Sequence, residues 1–453
     1  MHIDALVAEI GSTTTLVSGF SGLGGDSPRF VGSGQAATTV LDGDVRIGLT
    51  KAKDDLMTML GCNELSYGTM LATGSAAGGL RMSVHGLVHD MTVRAAEAAA
   101  LGAGAIVIGT TSGLMDEYDI DDIIRSKPNL LLLAGGTDYG ERRTVMENLK
   151  LIARAGIRAP LIYCGNIQNQ AAVRDICDEY GIPLSLTDNV YPKIDDLNIE
   201  PVRVCIHAMF EKHIVTAPGM EHIREMVDGT ILPTPGSVML AAKLLYDMVG
   251  DVVVMDIGGA TTDVHSVTNG SDEITQMQTS PEPFAKRTVE GDLGLYINAK
   301  NLVSRIGTEA LDTELGIDTV KVMQDYKPVP DTPEQFKLTE RLCLEAGLVA
   351  IDRHAGRLRH LYTPQGRTTI AEGKDLTTVK YLVGTGGALT RLPHREQILR
   401  RIADCNVKRT MLYPTPSTLE LLYDNDYIMA CLGALSKNYR EDAMLLMKRS
   451  LCL

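Results

Sequence analysis

Two stretches far apart in the chain place the same residue types in the same order. Residues 8–16 read AEIGSTTTL and residues 255–263 read MDIGGATTD. Each runs a carboxylate (Glu9, Asp256), an aliphatic residue, a glycine, two small residues and a threonine. An apolar run precedes each, so the carboxylate arrives at the mouth of a buried strand. Gly11, Gly258 and Gly259 let the backbone turn tightly and bring its N–H groups close to a ligand. Successive N–H groups in such a turn form an anion-binding concavity. The hydroxyls of Ser12, Thr13, Thr14, Thr261 and Thr262 add donors, Asp263 adds a second acid, and the strand-end carboxylate can hold a Mg²⁺ ion through water. Two opposed loops of this kind clamp a polyphosphate. Either loop alone reads equally well as an ordinary hairpin turn; the repetition is what distinguishes them. A third glycine turn, VGTGGALTRLP at 383–393, offers the backbone of Gly384, Gly386, Gly387 and Ala388 where a flat base can lie.

The elements around these loops define the class. Residues 5–20 read as strand, turn, strand, and a strand or loop runs into a helix near 50–60. Between 129 and 187 short apolar strands (NLLLLAGG, APLIYCGN, IPLSLTD) alternate with amphipathic helices (RRTVMENLKLIARAG, NQAAVRDICDEYG), a βαβαβ pattern that implies parallel sheet. Residues 200–250 read as three helices. TERLCLEAGLVAIDRHAGRLRHLY reads as one long amphipathic helix, and DYIMACLGALSKNY closes the chain as a small-residue helix.

With 453 residues, more than one domain is expected. A net charge of −14 and no tryptophan argue against nucleic acid, which requires a basic face and stacking platforms. No uncharged apolar run reaches the length of a membrane span. The N-terminus lacks the basic and apolar regions of a signal peptide. The scattered cysteines include no C-x-x-C pair and read as buried free thiols, so a cytoplasmic protein is expected.

The three loops, in this order, resemble the phosphate 1, phosphate 2 and adenosine motifs of the actin-like ATPase superfamily. The resemblance tightens in GTILPTPGSVMLAAKLLYDMVGDVVVMDIGGATTDV, which is similar to the hydantoinase/oxoprolinase pattern, and extends to EGDLGLYINA and ACLGALSK. As a whole the chain is most similar to the glutamate mutase L family. This resemblance implies a two-lobed α/β actin-like ATPase (ribonuclease H-like) fold with an additional parallel βα segment at about 125–200. Lobe I would span 1–238, lobe II 239–425, and a C-terminal connecting helix, 426–453, would return towards lobe I. It implies ATP and Mg²⁺ as cofactors, with Asp256 and Glu9 as catalytic and metal-holding residues. Gly11, Ser12, Thr13 and Thr14 match phosphate loop one; Gly258, Gly259, Thr261, Thr262 and Asp263 match loop two; Gly384, Gly386, Gly387 and Ala388 match the adenosine loop. Glu9 departs from the superfamily's usual aspartate, and Leu16 stands where a lysine often follows.

The family resemblance further implies a chaperone-like reactivating partner of an adenosylcobalamin-dependent glutamate mutase or related aminomutase. No nucleic-acid or membrane partner is expected, and a homo-oligomer is left open. Two other readings stand beside it. One is an ATP-dependent amidohydrolase or small-molecule kinase; the other, motivated by Glu9, is a non-hydrolysing scaffold. Elsewhere, Asp138 and Glu141 suit a capping box, and Glu290 and Asp292 suit either a cap or a contact with ribose or metal. ATGSAAGG (72–79) suits close packing. His85 and His89 fall four apart on a predicted helix without the glutamate of H-E-x-x-H, and RHAGRLRH (353–360) is a basic helical segment. The lysine of EGKDLTT is followed by Asp375, so no phosphate-binding G-x-x-x-x-G-K-[ST] loop is present.

Overall fold

The computed structural model describes residues 1–453 except 41, 76–79, 215–216, 230, 364–365 and 406–409. The last four residues of ATGSAAGG therefore lie outside the described residues. The strand β1 (His2–Ile10) turns back into β2 (Thr14–Ser21), and β3 (Arg29–Ala37) extends the antiparallel meander. Helix α1 (Val45–Met59), capped by the Asp44 carboxylate, crosses to β4 (Ser66–Gly74), which lies parallel to β1.

The chain then builds a separate sheet from β5 (Arg81–Gly86), α2 (Arg94–Gly102), β6 (Ile106–Ser112), α3 (Glu117–Ser126), β7 (Leu130–Leu133), α4 (Arg143–Arg154), β8 (Leu161–Tyr163), α5 (Gln170–Tyr180) and β9 (Leu184–Leu186). All its pairings are parallel and its order is β6-β5-β7-β8-β9. Helix α6 (Glu200–Ile214) returns the chain to the first sheet, where β10 (Ile231–Pro233) pairs with β4.

Helix α7 (Thr234–Val249) leads to a third sheet. Its strands β11 (Val252–Ile257), β12 (Thr262–Val267) and β13 (Ala285–Glu290) form another antiparallel meander. After α8 (Asp272–Met277), which interrupts that meander, come α9 (Ala299–Ile306), α10 (Thr308–Leu315), α11 (Thr319–Gln324) and α12 (Pro333–His354). A hairpin of β14 (Arg357–Thr363) and β15 (Gly366–Glu372) precedes β16 (Tyr381–Thr385), α13 (Gly386–Arg391), α14 (Arg395–Ala403) and β17 (Glu420–Tyr423). The chain closes with α15 (Met429–Leu435) and α16 (Arg440–Leu451).

The first sheet has the order β10-β4-β1-β2-β3 and the third β13-β12-β11-β16-β17. Each is a three-stranded meander with two parallel strands added beside its first strand. This duplicated plan is the expected two-lobed actin-like α/β fold, and the all-parallel sheet is its additional segment.

Both central strands are covered on both faces, so their side chains divide by the two-residue period of a strand. Ala5 and Val7 of β1 and Val252 and Val254 of β11 face a shared core with α7, α15 and α16. Leu6, Ala8 and Ile10 face α1 and the parallel segment, while Val253, Met255 and Ile257 face α12 and α14. Helices α7 and α15 cross closely. A Cβ on Gly433 would lie 1.9 Å from the Ser237 carbonyl oxygen, and Ser237 Oγ donates to Ala430 O at 2.6 Å. Gly433→Ala is therefore expected to lower unfolding free energy by about 1–3 kcal/mol through overpacking. A urea melt indistinguishable from the parent would show that the crossing is not tight.

Several elements differ from the sequence expectation. The parallel sheet begins at Arg81, well before 125, because β5 and β6 carry few of the aliphatic runs that mark β7 and β8. His85 is buried in β5 and His89 opens a π-helical turn, so the two do not share a helix. GMEHIREMVDG forms only a short 3-10 turn, Ile223–Glu225. Helix α12 stops at His354, and RLRH belongs to β14, since Gly356 breaks the periodic run. Glu290 and Asp292 neither cap a helix nor line the cleft; both pair with Arg353. The Asp138 carboxylate accepts from Ile167 N and Asn189 Nδ2, leaving Glu141 alone to accept from the first N–H groups of α4. Cys164, Cys177, Cys343 and Cys431 are buried thiols, as expected, whereas Cys62, Cys205 and Cys405 are half-buried and Cys452 is exposed. No helix among the described residues is long and apolar enough to cross a membrane.

Candidate functional site

The two acid–glycine loops adopt one geometry. Gly11 N donates to Thr14 O at 3.0 Å, and Gly258 N donates to Thr261 O at 3.0 Å. Each loop spans four residues, closed by the pairs Ile10–Thr15 and Ile257–Thr262. The tightness of the first turn explains its glycine: a Cβ on Gly11 would lie 2.7 Å from Thr14 O.

Both loops line one cavity of about 340 Å³ between the first and third sheets. Glu9, Gly11, Ser12, Thr13 and Thr14 contribute from one side, and Asp256, Gly258, Gly259, Thr261 and Asp263 from the other. Gly387 and Ala388 reach it from the start of α13. Thr262, Gly384 and Gly386 do not. Thr262 is buried and donates to Leu293 O at 2.9 Å, and Gly384 packs on Leu389 and Leu399. Gly386 sits behind the cavity wall at φ +81, where a Cβ would lie 2.4 Å from the Asp256 carboxylate. Its glycine makes room for that acid.

The electrostatics of the cavity are those of crowded acids. Burial, then the neighbouring Asp424, raises the Glu9 carboxyl to about 7, opposed by Arg391. Burial, Asp263 and Glu9 together push the Asp256 carboxyl well above the usual carboxylate range. Asp263 is compensated: Arg287 Nε donates to its Oδ1 at 2.8 Å and Thr261 Oγ1 to its Oδ2 at 2.8 Å. Arg287 is itself buried and also donates to Leu101 O at 2.9 Å, so it ties the second loop to the end of α2.

The cavity also has walls that its motifs do not announce. Arg391 donates to Gln35 Oε1 at 2.7 Å, joining α13 to β3, and stacks on Tyr427 with its guanidinium carbon 5.4 Å from the ring centroid. Tyr427 holds the left-handed conformation at φ +54, uncommon for a bulky residue and often found at functional sites. Asp424 accepts from Thr385 Oγ1, Ile428 N, Met429 N and Ser450 Oγ, fixing the start of α15 beneath the cavity. Tyr326, Pro328, Val329, Pro330 and Phe336 form an apolar wall. The proline-spaced DYKPVP stretch was the available signal for that wall, since two fixed prolines make a stiff surface segment.

A model of the family described as MutL protein matches residues 5–451 of this chain. Protein MutL of Clostridium tetanomorphum is 38% identical over 428 residues, covering 91% of this chain and 92% of that protein. The chain belongs to the MutL family. This is the family that the sequence resembles, and the match runs through both acid–glycine loops. Among solved structures, the (R)-2-hydroxyglutaryl-CoA dehydratase component A of Acidaminococcus fermentans is 9% identical, with a TM-score of 0.34 over 97% of this chain and 99% of that one. A glycerol dehydratase reactivase is also 9% identical, with a TM-score of 0.34 over 95% and 100%. At these scores the likenesses carry no functional weight. For this MutL-family chain the site rests on its own geometry: two matching hairpins, two under-compensated acids, and a stacked arginine between the sheets.

Proposed function

We propose that this protein binds ATP with Mg²⁺ in the cleft between its two matching sheets and couples nucleotide state to an adenosylcobalamin-dependent glutamate mutase or related aminomutase. The supporting observation is the pairing of the Gly11 and Gly258 turns around one cavity, each with an acid at its strand end. N–H groups of residues 12–14 and 259–261 would hold phosphates, and Gly387 and Ala388 would lie against the base. Glu9 and Asp256 fit a divalent cation, because each carries charge that burial and repulsion disfavour. No group of three or more potential metal ligands occurs among the described residues. Glu9 and Asp256 facing one cavity suit Mg²⁺, which binds through one or two carboxylates and retains water and phosphate oxygens. When bound, the ion neutralises charge on the phosphate oxygens.

Residues of the chain supply the rest. The turns orient the phosphates, and Arg391, already bonded across the cleft to Gln35, adds a cation next to Glu9. A ligand that draws the two sheets together would change the relation of α2 to β13, where Arg287 joins them. Membership of the MutL family supports an accessory ATPase, rather than an amidohydrolase or kinase.

Calorimetric titration with ATP, with and without Mg²⁺, tests the site. Metal-dependent binding is expected, reduced at least tenfold by Asp256→Ala, on the order of one lost charge-assisted contact. Absence of binding at millimolar ATP would leave the non-hydrolysing scaffold as the better reading.

A further inference from the structure

The separate parallel sheet has one edge where all its strands end together. In a wholly parallel sheet the carboxyl ends of the strands share one side, and the loops that leave them form a single rim. Each of these loops exposes a large apolar side chain: Val88 after β5, Leu114 after β6, Tyr139 after β7, Ile167 after β8 and Ile194 after β9. Three are far out in solvent, Leu114 at 60%, Tyr139 at 77% and Ile194 at 72% exposure, and Tyr118 at the start of α3 reaches 80%. Single exposed apolar residues need no explanation, but one on every loop of the same edge marks an interaction surface.

The rim is held in shape rather than left loose. Asn166 Oδ1 accepts from Tyr139 N at 3.3 Å and Gln168 N at 3.0 Å, tying the β7 and β8 loops. Asp138 links both to the β9 loop through Ile167 N and Asn189 Nδ2. Tyr191 Oη accepts from Asp195 N at 2.9 Å. Tyr139 and Asp195 are held in the left-handed region at φ +63 and +62, a conformation uncommon for tyrosine and tolerated by aspartate, and both backbone N–H groups are bonded there. The loop after β5 forms a π-helical turn, His89–Val93, a rare geometry frequent at functional sites. A surface preorganised in this way loses little entropy on binding.

The charge on the rim selects the occupant. Exposed acids, Asp90, Asp116, Glu117, Asp188, Asp195 and Asp196 among them, outnumber the exposed bases Arg142, Arg143 and Lys193. Such a rim repels nucleic acid and anionic lipid. It also disfavours a phosphorylated cofactor at the crevice between β5 and β7, where Gly135 lies near Leu87 and Val145. We infer that the carboxyl-end rim of the parallel sheet is the docking face for a protein partner that presents an apolar patch fringed with basic side chains, and that this partner is the mutase. The inference rests on the function proposed above. Helix α2 starts after the Val88 loop and ends at the Leu101 carbonyl that Arg287 bonds while it holds Asp263, so one helix runs between the rim and the second acid–glycine loop.

The test is interferometry of the full chain against intact glutamate mutase loaded with adenosylcobalamin, with ATP and with ADP, at low and high salt. Tyr139→Asn, which tolerates the left-handed backbone, combined with Ile194→Ser, is expected to weaken binding about tenfold or more, as for anchors of an interface. Calorimetric ATP affinity should be unchanged. Tyr362→Asn, an equally exposed tyrosine on the β14–β15 hairpin, should leave mutase binding intact. High salt should weaken the parent complex. Parent binding that survives the double variant overturns the docking face and leaves the proposed function standing. Parent protein that binds ATP but no mutase in either nucleotide state overturns the partner, and the occupant of the rim with it. Self-association that the double variant abolishes would make the rim an interface between copies of this chain and overturn the inference.

Discussion

Replacing Glu9 by glutamine is expected to stabilise the ligand-free protein by about 3 kcal/mol at about pH 8, while weakening Mg²⁺–ATP binding at least tenfold. The carboxyl moves from an ordinary value of 4.5 to about 7 on folding, because burial and Asp424 disfavour its charge. The folded chain therefore holds that proton more tightly than the unfolded chain. Its contribution to stability is fully present below about 4.5 and is lost as pH rises to about 7. Glutamine keeps the shape and never ionises, so the parent and the variant should be nearly equal at about pH 4 and diverge above it. Urea melts across that range, without nucleotide, measure the difference directly. A difference that does not change with pH would mean that Glu9 carries no buried charge. Unchanged Mg²⁺–ATP affinity would remove it from the metal site. A gain in stability with a loss of binding is the pattern expected of a functional acid held in an unfavourable place.

Arg287→Met should have the opposite effect on stability, a loss of about 3–5 kcal/mol, because it leaves the buried Asp263 carboxylate without its cation. Asp263 and Arg287 are both almost wholly inside the protein, and the same guanidinium serves the Leu101 carbonyl oxygen. Adding Asp263→Asn should recover part of the loss, since the uncompensated charge is then gone. A double variant no more stable than Arg287→Met would show that the α2 carbonyl contacts, and not the ion pair, account for the arginine. If Arg287 relays nucleotide state, the recovered double variant, once saturated with nucleotide, should show equal mutase affinity with ATP and ADP. A retained difference between the nucleotides would place the relay elsewhere.

How much of this was legible in the sequence follows from the range of each interaction. Glu9 with Gly11, and Asp256 with Gly258, are separated by a single residue, and the requirement for a tight turn at a strand end is local. The two hairpins, their shared order and the strand–helix alternation of β7, α4, β8 and α5 were readable for that reason. The family resemblance supplied the pairing of the loops across one cleft.

Tertiary structure decided what local pattern could not. Arg391 meets Gln35 from a separation of 356 residues, and no periodicity connects them. Nothing in the sequence around Arg287 points to Asp263 until β13 pairs with β12 and sets the two side by side. Gly386 reads as a base-binding glycine, yet its lack of a side chain serves the Asp256 carboxylate behind the cavity wall. The stretch GMEHIREMVDG has the composition of a helix but folds as a short 3-10 turn, held by the backbone bond from Gly229 N to Met70 O. By itself the sequence determined which backbone turns form and which acids stand beside them. Only the packed structure decided which of those acids are compensated and which are left needing a cation, because the opposing charge comes from a neighbouring strand for Asp263 and, for Glu9, burial and charge come from residues hundreds of positions away.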